Sequence, residues 1–415
     1  MSNIFVLLTA YYILKPVREA LILSSGGAEI KSYAGAAQAL LFIAIVPLYG
    51  AFANRVNRLH LINGVTAFFI SNLVIFYVLA RMQVNVAIPF FLWVGLFSLM
   101  LVAQVWALAN DIYHEEQGKR LFAIVGIGAS LGAIFGAYIA GVIFEPLGPY
   151  RMMLLSGALL FICMGLTTWV HRRETRGETQ DAAERAPVAA RTQGAGGFQL
   201  VFKHRYLLLI AIMVLLTNFV NTTGEFILGK AVELDAQTAV AADPGMTEEQ
   251  YIGTFYANFF FWVNVLGAFL QLFIVSRLLK YVGIGTARLF LPIIALGSYS
   301  LLAFFPILSL VRSLKIVENG TDYSLHKTAQ QALFLRTDRD AKFKAKTAID
   351  NFFWRLGDAG SAVLVFAGTQ LAFGLTGFAT ANIIGVVVWL GIVIAIIRIR
   401  NRQADEPIVD RPAAA

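Results

Sequence analysis

The sequence predicts an all-α integral membrane protein, with twelve transmembrane helices in two six-helix halves and both termini cytoplasmic. Three observations carry that expectation. First, 58% of the 415 residues are hydrophobic and only 14% are charged, and the mean hydropathy is +0.70; soluble chains of this length do not carry so much apolar sequence. Second, apolar stretches recur near 4–24, 33–53, 61–80, 88–110, 121–144, 152–170, 206–229, 251–276, 284–304, 306–328, 347–371 and 376–398. Each is close to the ~20 residues that cross a bilayer core. Third, Lys and Arg gather in alternate connections, the pattern of cytoplasmic loops.

Arg55 and Arg58 follow the second span, Lys119 and Arg120 the fourth, and Arg172, Arg173 and Arg176 the sixth. Arg277, Lys280 and Arg288 follow the eighth span, Lys342, Lys344 and Lys346 the tenth, and Arg398, Arg400 and Arg402 the twelfth. The opposite connections carry few cations, and the one around Glu233–Glu249 is acidic. The net charge of +8 therefore reads as membrane topology, and no nucleic-acid partner is expected. Cys163 is the only cysteine, so no intrachain disulfide is possible. The first apolar run carries charges and lacks a small-residue cleavage site, so neither a cleavable signal peptide nor a transit peptide is expected. The expected setting is the lipid bilayer of a bacterial inner membrane, as a multi-pass monomer. His60, His114, His171, His204 and His326 lack ligand spacing, so no metal or cofactor is expected.

Residues 171–205 are polar, with Gly, Ala, Pro and mixed charge, and read as a flexible cytoplasmic linker. They divide a half at 1–170 from a half at 206–400, followed by a tail at 401–415. Internal repetition supports the split: Leu7-Leu8-Thr9 in the first span echoes Leu215-Leu216-Thr217 in the seventh. Two six-span halves in parallel repeat form the major facilitator-like arrangement, where substrate sits near the midplane between halves.

The first span, though apolar overall, carries Lys15, Arg18 and Glu19 in its second half. Three charges facing lipid would cost roughly 8–10 kcal/mol, at about 2.5–3.5 each, while each leucine contributes only ~0.3–0.6. Lipid-facing placement loses. Tyr11, Lys15, Arg18 and Glu19 fall on one helix face, where Lys15 and Glu19 are spaced to pair. That face lines a wet polar cavity, or forms a structural ion pair without a ligand. In a facilitator arrangement spans 1, 4, 7 and 10 line the cavity, and polar residues cluster there. Span 4 has Gln104 and Asp111; span 7 has Asn218, Asn221, Thr222 and Glu225; span 10 has Arg312, Lys315, Asn319, Asp322 and His326. Span 11 adds Asp350, Arg355 and Asp358. Asp111 and His326 also fit a position at the cytoplasmic interface.

Gly126, Gly128, Gly132 and Gly136 faintly resemble a phosphate loop, but the spacing is wrong and no strand precedes them. Glycines four apart in an apolar helix read as close helix packing. Trp106 and Tyr323, on cavity spans, are candidates for stacking on a planar ligand. No nucleophile–base constellation stands out, so an enzyme is not expected.

Three stretches resemble the nucleotide transporter family of plastids and obligate intracellular bacteria, the ATP/ADP translocases. The first is Tyr12-Ile-Leu-Lys15-x-x-Arg18-Glu19-x-Leu21 with Gly26-Gly27-Ala28-Glu29-Ile30. The second is Trp106-Ala-Leu-Ala109-Asn110-Asp111-Ile112, then Glu116-x-x-Lys119-Arg120 and Gly126-x-Gly128-Ala129. The third is Tyr323-Ser324-Leu325, Lys344-Ala345-Lys346-x-Ala348-Ile349-Asp350 and Leu356-Gly357-x-x-Gly360. Order and spacing are kept across both halves. The resemblance implies exchange of ATP against ADP or another nucleotide by alternating access. It implies that basic cavity residues bind phosphates, Arg18 matching the family's first-span basic residue, and that acidic ones couple or gate, Glu19 and Glu225 among them. One departure stands out: the family usually has Lys after the first Gly of Leu-Gly-x-x-Gly, and this chain has Asp358. An anion there would repel a phosphate charge by ~4 kcal/mol at about 4 Å and an effective dielectric near 20.

The expected substrate contacts are therefore Lys15, Arg18, Trp106, Lys315, Tyr323 and Arg355. The expected coupling or gating groups are Glu19, Asp111, Glu225, Asp322, Asp350 and Asp358. A proton-coupled symporter of another organic anion keeps the fold and is favoured by Asp358. A non-transporting receptor on the same scaffold, with 171–205 as a docking segment, is a third reading.

Overall fold

The computed structural model describes the chain except residues 54–55, 57, 113–114, 176–195, 335–336, 338–343 and 403–415; side chains at 47, 50–53, 58, 102–124, 171–175 and 402 also lie outside the description. The described residues run as α1 (Ser2–Ala53), α2 (Arg58–Arg81), α3 (Ala87–Ile112), α4 (Glu115–Thr175), α5 (Gly197–Lys203), α6 (Arg205–Ala242), α7 (Glu248–Phe269) and α8 (Ser276–Tyr281). There follow α9 (Gly283–Ala287), α10 (Phe290–Phe304), α11 (Leu308–Thr321), α12 (Lys327–Leu333), α13 (Lys346–Ala348), α14 (Trp354–Gln370) and α15 (Leu375–Arg402). Single π-helical turns join some of these, at Leu270–Val275, Asp322–His326 and Ile349–Phe353.

Among the described residues, seven helices are long and apolar enough to cross a membrane. That is fewer than the apolar stretches of the sequence, and two features account for part of the difference. Ser2–Val46 and Val125–Val170 are 45 and 46 residues long, about twice a ~20-residue crossing, and each contains a break. Gly27 and Gly148 have φ of 73° and 69°, the left-handed region that glycine enters without a Cβ clash, and Pro146 and Pro149 flank the second break. The stretch from α11 to α12 is helical, but Arg312, Lys315, Glu318 and Asp322 lower its hydropathy. Of the expected linker 171–205, residues 176–195 lie outside the described residues. Residues 171–175 continue α4 and 197–203 form α5, whose Phe198 and Phe202 pack edgewise or tilted on Phe352 and Phe353.

The helices pack as two compact units. Unit 1 is Met1–Gly27, Ala44–Ala190 and Ala236–Asn264; unit 2 is Ala28–Ile43, Arg191–Asp235 and Val265–Ala415. Each unit thus takes in one stretch from the other half of the sequence. In unit 1, Gln250 Nε2 donates to the Glu145 carbonyl at 3.2 Å and Tyr150 donates to Glu249 Oε1 at 3.4 Å. In unit 2, Lys230 Nζ lies 3.0 Å from Glu29 and 3.2 Å from Glu233. The Ala28 amide donates to Glu233 Oε2 at 2.9 Å, so this acid caps the helix that restarts after Gly27.

Glycines set the helix spacing in both units. Within unit 1, a Cβ on Gly132 would lie 3.0 Å from Phe5 Cα and one on Gly136 would lie 2.9 Å from Thr9 Cα. Within unit 2, a Cβ on Gly357 would lie 2.7 Å from the Leu215 carbonyl oxygen and 2.9 Å from Asn218 Cβ. The glycines of α4 therefore approach α1 closely, as Gly357 of α14 approaches α6, next to the echoed Leu-Leu-Thr stretches. Close packing, not phosphate cradling, is the role of Gly132 and Gly136.

Candidate functional site

One cluster in each unit gathers the charged residues that the sequence singles out. In unit 1, α1 carries Lys15, Arg18 and Glu19 within about a turn. Lys15 is 8% exposed, with its ammonium 4.0 Å from the Phe260 ring centroid, 4.8 Å from Tyr12 and 5.8 Å from Tyr11. Ring faces attract a cation by about 0.5–2 kcal/mol each. Arg18 donates from Nε to Glu19 Oε1 at 3.0 Å, with Nη2 on the same oxygen, and its guanidinium carbon lies 4.9 Å from the Phe91 centroid. Glu19 is 1% exposed.

In unit 2 the cluster spans α6, α10, α11 and α14. Lys315, 1% exposed, donates to Asn221 Oδ1 at 3.0 Å and to Glu318 Oε1 at 3.2 Å, and lies 3.6 Å from Glu225. Asn319 donates to Glu225 at 2.8 Å, and the Tyr299 hydroxyl donates to Glu318 Oε2 at 3.0 Å. Gly224 makes room for this: a Cβ there would collide with the Tyr299 hydroxyl and lie 3.1 Å from Lys315 Nζ. Lys315 is one cation shared by two carboxylates.

Asp358, one turn below the Arg355 position on α14, is held from three sides. Asn218 Nδ2 and the Thr222 hydroxyl donate to Oδ1 at 2.7 and 2.9 Å, and Arg355 Nη1 donates to Oδ2 at 3.2 Å. The Arg355 guanidinium also lies 4.5 Å from the Phe42 centroid. Asp358 is therefore engaged by its own unit, and it neutralises Arg355.

The remaining expected residues are dispersed. Asp322 is buried on its π-helical turn, and Tyr323 beside it is 46% exposed. Asp350 sits on another π turn, accepting from Lys346 Nζ at 2.8 Å and Gln330 Nε2 at 3.4 Å. Trp106 and Asp111 fall on α3, in a stretch whose side chains lie outside the described residues. Sequence reasoning missed Glu318, Tyr299 and Phe260. Glu318 had a signal in its i+3 spacing from Lys315; the two aromatics, on other helices, had none.

Among the described residues the fold is all-helical, with charged clusters buried inside helices of membrane-crossing length. A family model described as Major Facilitator Superfamily matches residues 1–317, and the chain belongs to that superfamily. A second model, TLC ATP/ADP transporter, matches residues 310–404; both are transport families, not enzymes. Among curated proteins, ADP,ATP carrier protein 1 of Chlamydia trachomatis is 24% identical over 337 residues, 71% of this chain and 61% of the relative. ADP,ATP carrier protein 4 of Rickettsia bellii is 22% identical over 333 residues, 70% and 58%. The chain thus spans about six-tenths of the length of the curated relatives it matches. Among solved structures, an auto-inhibited peptide transporter of the POT family has a TM-score of 0.65 at 14% identity, covering 99% of this chain and 98% of that one. The nucleoside transporter NupG has a TM-score of 0.60 at 14% identity, covering 96% and 99%. At these identities the likeness speaks to the fold.

Proposed function

We propose that the chain is a secondary transporter that exchanges nucleotides of the ATP/ADP type across a bacterial inner membrane by alternating access. It would cross the membrane twelve times, with both termini cytoplasmic and the linker and tail on the same side. The observation that carries the nucleotide assignment is the match of residues 310–404 to the TLC ATP/ADP transporter model, with ADP,ATP carrier proteins 22–24% identical over 70–71% of the chain. The Lys15–Arg18 arrangement supports it chemically. An ammonium is a point charge for phosphate oxygens, and a guanidinium binds them through a planar fork. Lys315 and Arg355 would supply secondary attraction, each offset by neighbouring carboxylates.

Equilibrium binding to purified protein tests this reading. Affinity rising from AMP to ADP to ATP, and lost with Arg18→Gln, is the expected result. Equal binding of all three, or none, would count against it.

A second reading is a proton-coupled symporter of a less charged organic anion. What favours it is the charge balance in unit 2, where Lys315 and Arg355 face Glu225, Glu318 and Asp358. Uptake driven by an inward proton gradient without internal nucleotide would select that reading.

A further inference from the structure

Within unit 2, one helical stretch carries a buried row of polar side chains. Glu318, Asp322, His326 and Gln330 follow one another at steps of four residues along α11, its π turn and α12, the spacing that keeps side chains on one helix face. Asp322, His326 and Gln330 are 4%, 1% and 4% exposed. Among the described residues Asp322 Oδ1, both ring nitrogens of His326 and Gln330 Oε1 have no hydrogen-bond partner.

The row is tied at both ends. Glu318 belongs to the Lys315 group, accepting from Lys315 at 3.2 Å and from Tyr299 at 3.0 Å. At the other end Gln330 Nε2 donates to Asp350 Oδ1 at 3.4 Å, and Asp350 pairs with Lys346 at 2.8 Å. That pair is 29% and 30% exposed, so a buried row reaches an accessible ion pair. The charged groups bearing on Asp322 are Lys327 and Lys315. Those bearing on His326 are Lys327 and, from the connection between α9 and α10, Arg288, while Trp389 of α15 meets its ring edge to face at 5.8 Å. Those bearing on Glu318 are Lys315, Tyr299 and Glu225.

Buried polar groups are almost always satisfied, and where protein partners are missing ordered water makes the bonds. The unsatisfied atoms here are mixed in kind. Carboxylate and amide oxygens accept, and a neutral imidazole donates from one nitrogen and accepts at the other. Four residues rise ~6 Å along a helix, close to the about 5–6 Å that two hydrogen bonds through one water span. Asp and His in series inside membrane helices mark proton relays, and π turns recur at functional sites.

We propose that this row is a proton path, in which water bridges Gln330, His326 and Asp322 and the Asp322 carboxylate takes the proton. A proton enters from bulk water at the Asp350–Lys346 pair and passes through a bridging water to His326. The ring binds it on one nitrogen as it releases a proton from the other, and that proton converts the Asp322 carboxylate to the acid. Release reverses each step, so one proton bound at Asp322 is one proton taken from solution. Gln330 positions the water and carries no proton itself. The path presupposes only that the chain is a transporter, and it brings proton binding within one turn of the Lys315–Glu318 pair.

Infrared spectroscopy of the full-length protein in proteoliposomes tests this without any substrate, so its failure and that of nucleotide exchange are separable. As pH falls the carboxylic-acid C=O band should grow, and Asp322→Asn should remove part of it. Should that variant not fold, Asp322→Glu carries the assignment by shifting the band. On transfer to D2O the Asp322 band should shift rapidly in the wild type. His326→Phe and Gln330→Leu should keep the band and slow its shift by roughly tenfold or more, and Gln330→His should restore the rate. Backbone amide exchange should stay as in the wild type. A band untouched by the Asp322 variants would overturn the proposal, as would a shift rate unchanged in the folded His326 and Gln330 variants. So would a slowing shared equally by the backbone amides, which marks opening of the helices rather than a path.

Discussion

Arg355 and Asp358 pair at 3.2 Å on one face of α14, and the same carboxylate takes hydrogen bonds from Asn218 and Thr222. Asp358 is thus a partner for Arg355, and α6 holds it in place.

Removing that anion should therefore strengthen polyphosphate binding. In Asp358→Asn the Arg355 charge is no longer offset. A unit charge about 8 Å from a phosphate at an effective dielectric near 20 is worth ~2 kcal/mol. ATP affinity should rise by about tenfold or more and AMP affinity by less, as read by equilibrium binding. An unchanged ATP affinity would place the pair away from substrate.

Lys15→Met tests the ring-lined cation of unit 1. Methionine keeps the length of the stem and makes favourable contacts with aromatic rings, so the fold should survive, with a melting temperature close to wild type. Substrate affinity should fall by roughly tenfold or more with the loss of one charge-assisted contact. Normal affinity in the folded variant would remove Lys15 from the site.

Gly224→Ala drives a methyl group into the Tyr299 hydroxyl. Overpacking of this kind typically costs about 1–3 kcal/mol, and here it also disturbs the Tyr299–Glu318 hydrogen bond. Adding Tyr299→Phe should recover part of the loss in thermal unfolding, because the clashing oxygen is gone. Strict additivity of the two changes would contradict this geometry.

The glycine stripe of α4 should separate by partner. Gly132→Ala and Gly136→Ala push against the α1 backbone and should destabilise by about 1–3 kcal/mol. Gly126 has nothing within 4 Å of an added Cβ, so Gly126→Ala should be neutral or stabilising, by up to about 1 kcal/mol through helix propensity. Thermal unfolding of the three variants checks the contrast.

The helical fold and the Lys15–Arg18–Glu19 grouping were legible because both rest on local spacing: membrane-length apolar runs, and charges three and four apart on one helix face. The break at Gly27 fell within a recognised Gly-Gly pair. What stayed hidden depends on contacts between distant parts of the chain. Phe260 is 245 positions from the Lys15 it covers, and Asn218 is 140 from the Asp358 it binds. Glu318 had a signal only in its spacing from Lys315, and its partner Tyr299 sits on another helix. The anionic identity of position 358 was visible; its engagement by α6 was not.

Counterflow in proteoliposomes tests the central claim most directly. Vesicles loaded with ATP, with ADP or with buffer alone would be given labelled external ATP. Nucleotide exchange predicts rapid uptake only where internal nucleotide is present, and loss of that uptake with Arg18→Ala. Uptake that ignores the internal nucleotide, or no uptake by folded protein, would contradict it.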